Sequence, residues 1–316
     1  MMKVLVTPRS FGKNNPALFS RLDDAGLSII RTTTGGVLSE SLMKVLLAPC
    51  LGVILGIDPL NARVLEVCPD LQAVSRYGVG LDNIDLELCR LRGIKVSRTL
   101  GANSGAVADY AFALMLAVAR RLVAIDQACH RKDWSKTTSI DVHGKTLGII
   151  GLGAIGKLVA RRARGFDMRV LAHDIDFDRE FARQHGIEGA DVDTIVREAD
   201  FISLHAVLND KTRNIIDQRR LSMMKKTAVL INTARGALVD EEALLCALQQ
   251  GTIYGAGIDA FEHEPPQNPA WYALDNLIMG SHCAASTLGA TETMGRMAVD
   301  NLLRDLGLDK KWKLES

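Results

Sequence analysis

Short apolar runs alternate with amphipathic stretches almost from one end of the chain to the other. In the first third, runs at 3–7, 27–31, 52–55, 71–75 and 94–97 predict strands, and helical periodicity lies between them at 16–25, 59–67 and 86–92. A second block predicts strands at 146–150, 169–172, 201–205, 228–232, 255–258 and 277–279. Strands that alternate with helices form βαβ units and therefore parallel sheets covered on both faces. The prediction is an α/β chain with two doubly wound parallel sheets.

Two long helical patterns stand at the joints between the blocks. One, at 103–131, has an Ala-rich apolar face and is followed by a polar loop at 134–144. The other, at 286–306, follows the last strand. The expected arrangement sends this last helix back onto the first block. The first domain is then discontinuous, 1–102 plus 286–316, and the second covers 103–285.

Length and composition agree with two soluble cores: 316 residues, 47% hydrophobic and 24% charged. A net charge of +1 argues against a nucleic-acid or polyanion surface but leaves room for a local basic pocket. No apolar run reaches the roughly 18 residues of a membrane span. The N-terminus reads as a strand, not a signal peptide. Six scattered cysteines without a C-x-x-C pair or zinc spacing predict reduced thiols, no metal and a cytoplasmic location.

The first chemical signal is Gly151-Leu152-Gly153-Ala154-Ile155-Gly156, between a buried strand and a helix. Glycines at this spacing allow a tight turn and close approach of backbone to a pyrophosphate, which sits on the helix N-terminus. Asp174 ends the next strand about 20 residues on, where an acid accepts hydrogen bonds from the adenosine ribose. A carboxylate there repels the 2′-phosphate of NADP, and 175–178 bring no arginine to reverse that. The reading favours NAD.

Three further segments place polar residues at predicted strand ends, the edge at which ligands bind in open parallel sheets. Arg235 follows the strand at 228–232 and has the planar fork that fits a carboxylate. Asp259 and Glu264 lie in the segment after 255–258, with Pro265 and Pro266 stiffening it. His282 follows 277–279 and can exchange a proton near neutrality. Each alone has a plain structural reading as a surface or turn residue. An Arg, a Glu and a His in this order along one sheet edge are harder to dismiss.

With these motifs, together with Arg76-Tyr77-Gly78-Val79-Gly80-Leu81-Asp82-Asn83-Ile84-Asp85 and Gly101-Ala102-Asn103-Ser104, the chain resembles the D-isomer-specific 2-hydroxyacid dehydrogenases over nearly its whole length. Within them it looks most like phosphoglycerate dehydrogenases, in a short form without the regulatory domain. The resemblance implies a Rossmann NAD domain inserted into a flavodoxin-like substrate domain, a cleft between them and a homodimer built on the NAD domains. It implies that Arg235 binds the substrate carboxylate and C2 oxygen, that His282 is the general acid/base, and that Glu264 pairs with His282 and holds its orientation. Asp259 would bind the nicotinamide carboxamide. Ala154 and Ile155 would cover the pyrophosphate, and Ala206 and Thr233 would line the nicotinamide side. Ala234 and Ala285 complete the expected cofactor contacts. Val79 and Gly80 would offer backbone N–H groups to the substrate carboxylate, with Val79 also near the nicotinamide and Asn103 on the substrate side.

The chain departs from the family at Val207, where a proline is usual, at Ser281 before His282, and at Asp109, where Glu is usual. A phosphorylated substrate needs extra cations, and Arg9, Lys13 and Arg76 are the candidates. The same catalytic groups would serve a reductase of glyoxylate, hydroxypyruvate or another 2-keto acid. A formate dehydrogenase is disfavoured because relatives of that kind carry Gln at the position of Glu264. An NAD-sensing corepressor-like binding protein is the alternative outside enzymes.

Overall fold

The computed structural model describes residues 2–32 and 36–309. The chain divides into two compact units, one formed by 1–103 with 286–316 and the other by 104–285.

The first unit holds strands β1 (Met2–Val6), β2 (Leu27–Arg31), β3 (Gly52–Leu55), β4 (Ala73–Arg76) and β5 (Lys95–Arg98). They form one parallel sheet in the order β2-β1-β3-β4-β5, the flavodoxin-like order. Helices α1 (Ala17–Asp24), α2 (Glu40–Leu47), α3 (Ala62–Leu65) and α4 (Leu86–Leu91) make the crossovers. Ser39, Asn61 and Asp85 each accept a backbone N–H from the first turn of the helix they open, which stabilises it by about 1 kcal/mol. The strand expected at 71–75 is Ala73–Arg76, because Leu71 still belongs to a turn closed on the Cys68 carbonyl.

The second unit opens with α5 (Ser104–Ala119) and α6 (Leu122–His130). The single helix expected over 103–131 is broken at Arg121, whose backbone is left-handed at φ 53°. Its guanidinium donates to the Tyr254 hydroxyl at 3.2 Å and lies over that ring, so a tertiary contact sets the break without glycine or proline. Strands β6 (Thr146–Ile150), β7 (Arg169–His173), β8 (Ile187–Gly189), β9 (Phe201–Leu204), β10 (Val229–Asn232), β11 (Gly255–Ile258) and β12 (Leu277–Met279) follow. Between them lie α7 (Ala154–Ala163), α8 (Arg179–His185), α9 (Val192–Glu198), α10 (Gln218–Met223) and α11 (Glu241–Gln249). The sheet order β12-β11-β10-β9-β6-β7-β8 is the Rossmann order with one further strand. Strand β8 was not expected from the sequence; it is an edge strand of three residues with only Ile187 buried.

Alternation along each strand divides the core of this unit. Val229 and Ile231 face the cluster of α5 and α7, and Leu230 faces that of α9, α10 and α11. The chain then re-enters the first unit as α12 (Leu288–Asp305), which packs on β3, β4 and β5. Ser75 Oγ donates to the Ala298 carbonyl at 2.8 Å, and Tyr77 Oη to that of Thr291 at 3.0 Å. Among the described residues, no helix is long and apolar enough to cross a membrane.

Candidate active site

The second unit gathers most of the candidate residues along the carboxyl edge of its sheet. After β6 the chain turns through Gly151 at φ +100°, and a side chain there would collide with the Ala206 nitrogen. A Cβ on Gly156 would collide with the Gly151 carbonyl oxygen. Both positions therefore require glycine, one for conformation and one for close packing of α7 on the turn. Gly153 meets nothing within 4 Å, and it opens α7 without a side-chain cap. The N–H groups that begin α7, at Ala154 and Ile155, thus face outward with the positive end of the helix dipole.

Asp174 ties the end of β7 to this turn. Its Oδ2 accepts from Leu152 N at 2.6 Å and its Oδ1 from Asp176 N at 2.9 Å. Thr233, just beyond β10, is 9% exposed and its Oγ1 is buried without a partner. A cradle of backbone amides, two positions closed to any side chain and an unpartnered hydroxyl just beyond β10 fit a dinucleotide.

Asn232 shapes the next turn. Its Nδ2 donates to the Arg235 carbonyl at 2.8 Å and its Oδ1 accepts from Ala234 N at 3.0 Å. Arg235 is half-buried, with Nη1 on the Ala234 carbonyl at 2.7 Å. This folding role of Asn232 went unassigned from the sequence, although Asn at a strand end is a turn former that bonds its own backbone.

Asp259 is 1% exposed and collects three successive amides. Its carbonyl accepts from His282 N at 2.9 Å, its Oδ1 from Cys283 N at 3.0 Å and its Oδ2 from Ala284 N at 2.8 Å. This staple holds His282 in a left-handed conformation, φ 56°, that a side chain rarely adopts unaided. The imidazole Nδ1 then meets Glu264 Oε1 at 2.8 Å and Oε2 at 3.1 Å. Glu264 Oε1 also accepts from Phe261 N at 3.1 Å. Behind the turn, Cys283 Sγ lies 3.3 Å from the Tyr110 hydroxyl. Burial, with Cys283 and Asp259 adding to it, pushes that hydroxyl above its usual range.

His205 ends the run that passes Gly151. The residue is half-buried, but its Nδ1 is enclosed without a partner while Nε2 bonds Ser203 Oγ at 2.8 Å. Burial pulls its pKa from 6.5 down to about 4. Above pH 6.5 the ring is neutral whether the chain is folded or not. Between 6.5 and about 4 only the unfolded chain takes the proton, so stability falls as pH drops through that window. The loss attributable to this group is about 2 kcal/mol between pH 7 and 5. Urea unfolding of wild type and His205→Gln at both pH values checks this: the variant should show the shallower decline, and equal declines would remove His205 as the cause.

In the first unit the turn after β4 carries Val79 and Gly80. Arg98 Nη1 reaches the Val79 carbonyl at 3.4 Å, and among the described residues no hydrogen bond occupies the N–H of Val79 or Gly80. Arg76, expected as a cation for a phosphate, is 5% exposed. Its Nε donates to the Gly80 carbonyl at 3.0 Å, and its Nη1 to the carbonyls of Leu55 and Tyr77. The geometry makes it a brace for the turn. Arg9 and Lys13 are exposed beyond β1, and Asn103 keeps a buried Oδ1 without a partner.

Comparison with known proteins agrees with this architecture. Residues 112–284 match the family model for the NAD-binding domain of D-isomer-specific 2-hydroxyacid dehydrogenases. Glyoxylate reductase of Korarchaeum cryptofilum is 41% identical over 253 residues, covering 78% of this chain and 76% of that protein. Glyoxylate reductase of Pyrococcus horikoshii is 42% identical over 255 residues, with 78% and 76% covered. The crystal structure of the TT0316 protein from Thermus thermophilus superposes with a TM-score of 0.86 at 36% identity, covering 97% of each chain. The chain belongs to the D-isomer-specific 2-hydroxyacid dehydrogenases, oxidoreductases whose NAD-binding domain it carries in residues 112–284.

Proposed function

We propose that this enzyme reduces a small, unphosphorylated 2-keto acid of the glyoxylate type, with NADH in preference to NADPH. The observation that carries the reaction is the Glu264–His282 pair, 2.8 Å from Oε1 to Nδ1, seated by the Asp259 staple. With Nδ1 bound to a carboxylate, Nε2 is the nitrogen that faces a reacting oxygen. When bound, NADH supplies the hydride that reaches C2. His282 Nε2 donates a proton to the oxygen on C2 as charge develops there, and the Glu264 carboxylate stabilises the imidazolium before transfer. Arg235 pairs with the substrate carboxylate and polarises the carbonyl. Thr233 Oγ1 and the Asp259 carboxylate orient the carboxamide side of the cofactor, and Asp174 holds the adenosine ribose.

Two things favour the glyoxylate type over 3-phosphoglycerate. The relatives at 41% and 42% identity are glyoxylate reductases. Arg76, one of the cations a phosphate would need, is buried and donates to the backbone carbonyls of Gly80, Tyr77 and Leu55. Initial rates should be highest with glyoxylate or hydroxypyruvate among a panel that includes pyruvate and 3-phosphohydroxypyruvate, each with NADH and with NADPH. A higher kcat/KM for 3-phosphohydroxypyruvate would return the assignment to phosphoglycerate dehydrogenase, and preference for NADPH would overturn the role of Asp174.

We also propose a homodimer through the NAD-binding unit. Helix α6 buries none of its side chains, leaving Leu122 59% and Val123 45% exposed, and Trp134 beyond it is 81% exposed. Exposed apolar side chains grouped on one element can mark an interaction surface. Sedimentation at micromolar concentration should give a dimer that Trp134→Ser weakens; a wild-type monomer would refute it.

A further inference from the structure

Glu241 is the first residue of α11, after the N-cap Asp240, and it is half-buried. Its carboxylate is not used within the helix. Oε1 accepts from Glu262 N at 2.5 Å, across 21 positions of sequence. Glu262 lies in the segment after β11 that carries Glu264 two residues further on. The Glu262 side chain turns away to Arg213, at 3.0 Å.

The same piece of backbone is pressed against the turn of the candidate arginine. A Cβ on Gly236 would collide with Glu262 N and with the Phe261 carbonyl carbon. One residue earlier, Phe261 N is held by Glu264 Oε1. The stretch 261–264 is therefore held from three sides: by Glu241, by the backbone at Gly236 next to Arg235, and by Glu264 itself, which meets His282. Burial pushes the Glu241 carboxyl above its usual range, and the nearby Glu262 and Glu264 add to this, while the Glu262 N–H bond and His263 oppose it. A third carboxylate placed half-buried beside two others costs stability. Packing alone does not call for one, whereas a strong acceptor for Glu262 N does.

We infer that Glu241 is a positioning residue for proton transfer: it fixes the 261–264 backbone, so that Glu264 meets His282 Nδ1 in register with the Arg235 turn. The inference rests on the proposed reaction for its kinetic consequence but not for its structural one, and the test separates the two.

Full-length wild type, Glu241→Ala and Glu241→Gln are compared with glyoxylate and NADH. The imidazole of His282 is followed by NMR titration without substrate. Glutamine keeps an oxygen acceptor at the same reach. Glu241→Ala should lower kcat about tenfold, the scale of losing one hydrogen bond to a charged acceptor, with KM for NADH within about twofold. It should also move the titration midpoint of His282, because Glu264 is displaced; the charged groups that face Glu241 and His282 include Glu262, His263, Glu264, Arg213 and Asp259. Glu241→Gln should restore both kcat and midpoint. The inference fails if Glu241→Ala keeps either the wild-type kcat or the wild-type His282 midpoint, or if both variants lose activity only in proportion to a loss of folded protein seen by circular dichroism. If wild type shows no turnover with any 2-keto acid, the proposed reaction falls, while an unmoved His282 midpoint in Glu241→Ala would still refute the positioning role.

Discussion

Replacing His282 with Gln should lower kcat for glyoxylate reduction about 1000-fold, within the range by which a positioned general acid contributes. The Kd for NADH, read by quenching of protein fluorescence, should change less than about threefold, because the amides of Cys283 and Ala284 still have Asp259 to bind. Glu264→Gln should cost less, about 10- to 100-fold, since the amide oxygen can hold the Nδ1–H but does not stabilise the imidazolium. The double variant should be little worse than His282→Gln alone, because the two residues act as a unit. A His282→Gln enzyme that keeps a tenth of wild-type kcat would show that the proton comes from elsewhere.

Arg235→Gln is the second large effect. It should lower kcat/KM for the keto acid by about 1000-fold, from two losses that fall on the same residue. One is the charge-assisted pair with the carboxylate, which raises KM. The other is polarisation of the carbonyl as negative charge develops, which lowers kcat. Arg235→Lys should recover only part, with kcat/KM still about 10- to 100-fold down, because an ammonium keeps the charge without the planar fork. The turn itself should persist, since Asn232 bonds the backbone carbonyl of residue 235 and not its side chain. Steady-state kinetics with both variants checks this. A Lys variant with wild-type KM would mean that charge alone suffices.

Much of this architecture is visible in the pattern of the chain. Strands such as Thr146–Ile150 and Gly255–Ile258 are apolar runs because both faces of a parallel sheet are covered, and burial on both sides leaves no room for polar alternation. The glycine turn and Asp174 were legible for a related reason. Their spacing is local to one βαβ unit, and the bond from Leu152 N to Asp174 closes that unit. Strand β8 was missed because it is short, polar and at the edge. The break at Arg121 was missed because its cause, Tyr254, is 133 positions away.

The sequence by itself determined the two α/β blocks, the seat for a dinucleotide and which residues stand as candidates for substrate binding and proton transfer, since each depends on composition or spacing within one strand–turn–helix unit. Only the tertiary structure decided what those residues are tied to. It set the buried Arg76 against the carbonyls of Gly80, Tyr77 and Leu55, converged three consecutive amides on Asp259 to seat His282, and placed Glu241 against the segment that carries Glu264. These are contacts between strand ends far apart in the chain, brought to one edge by the order of the sheet. A hydrogen bond leaves no periodic trace in the residues that make it.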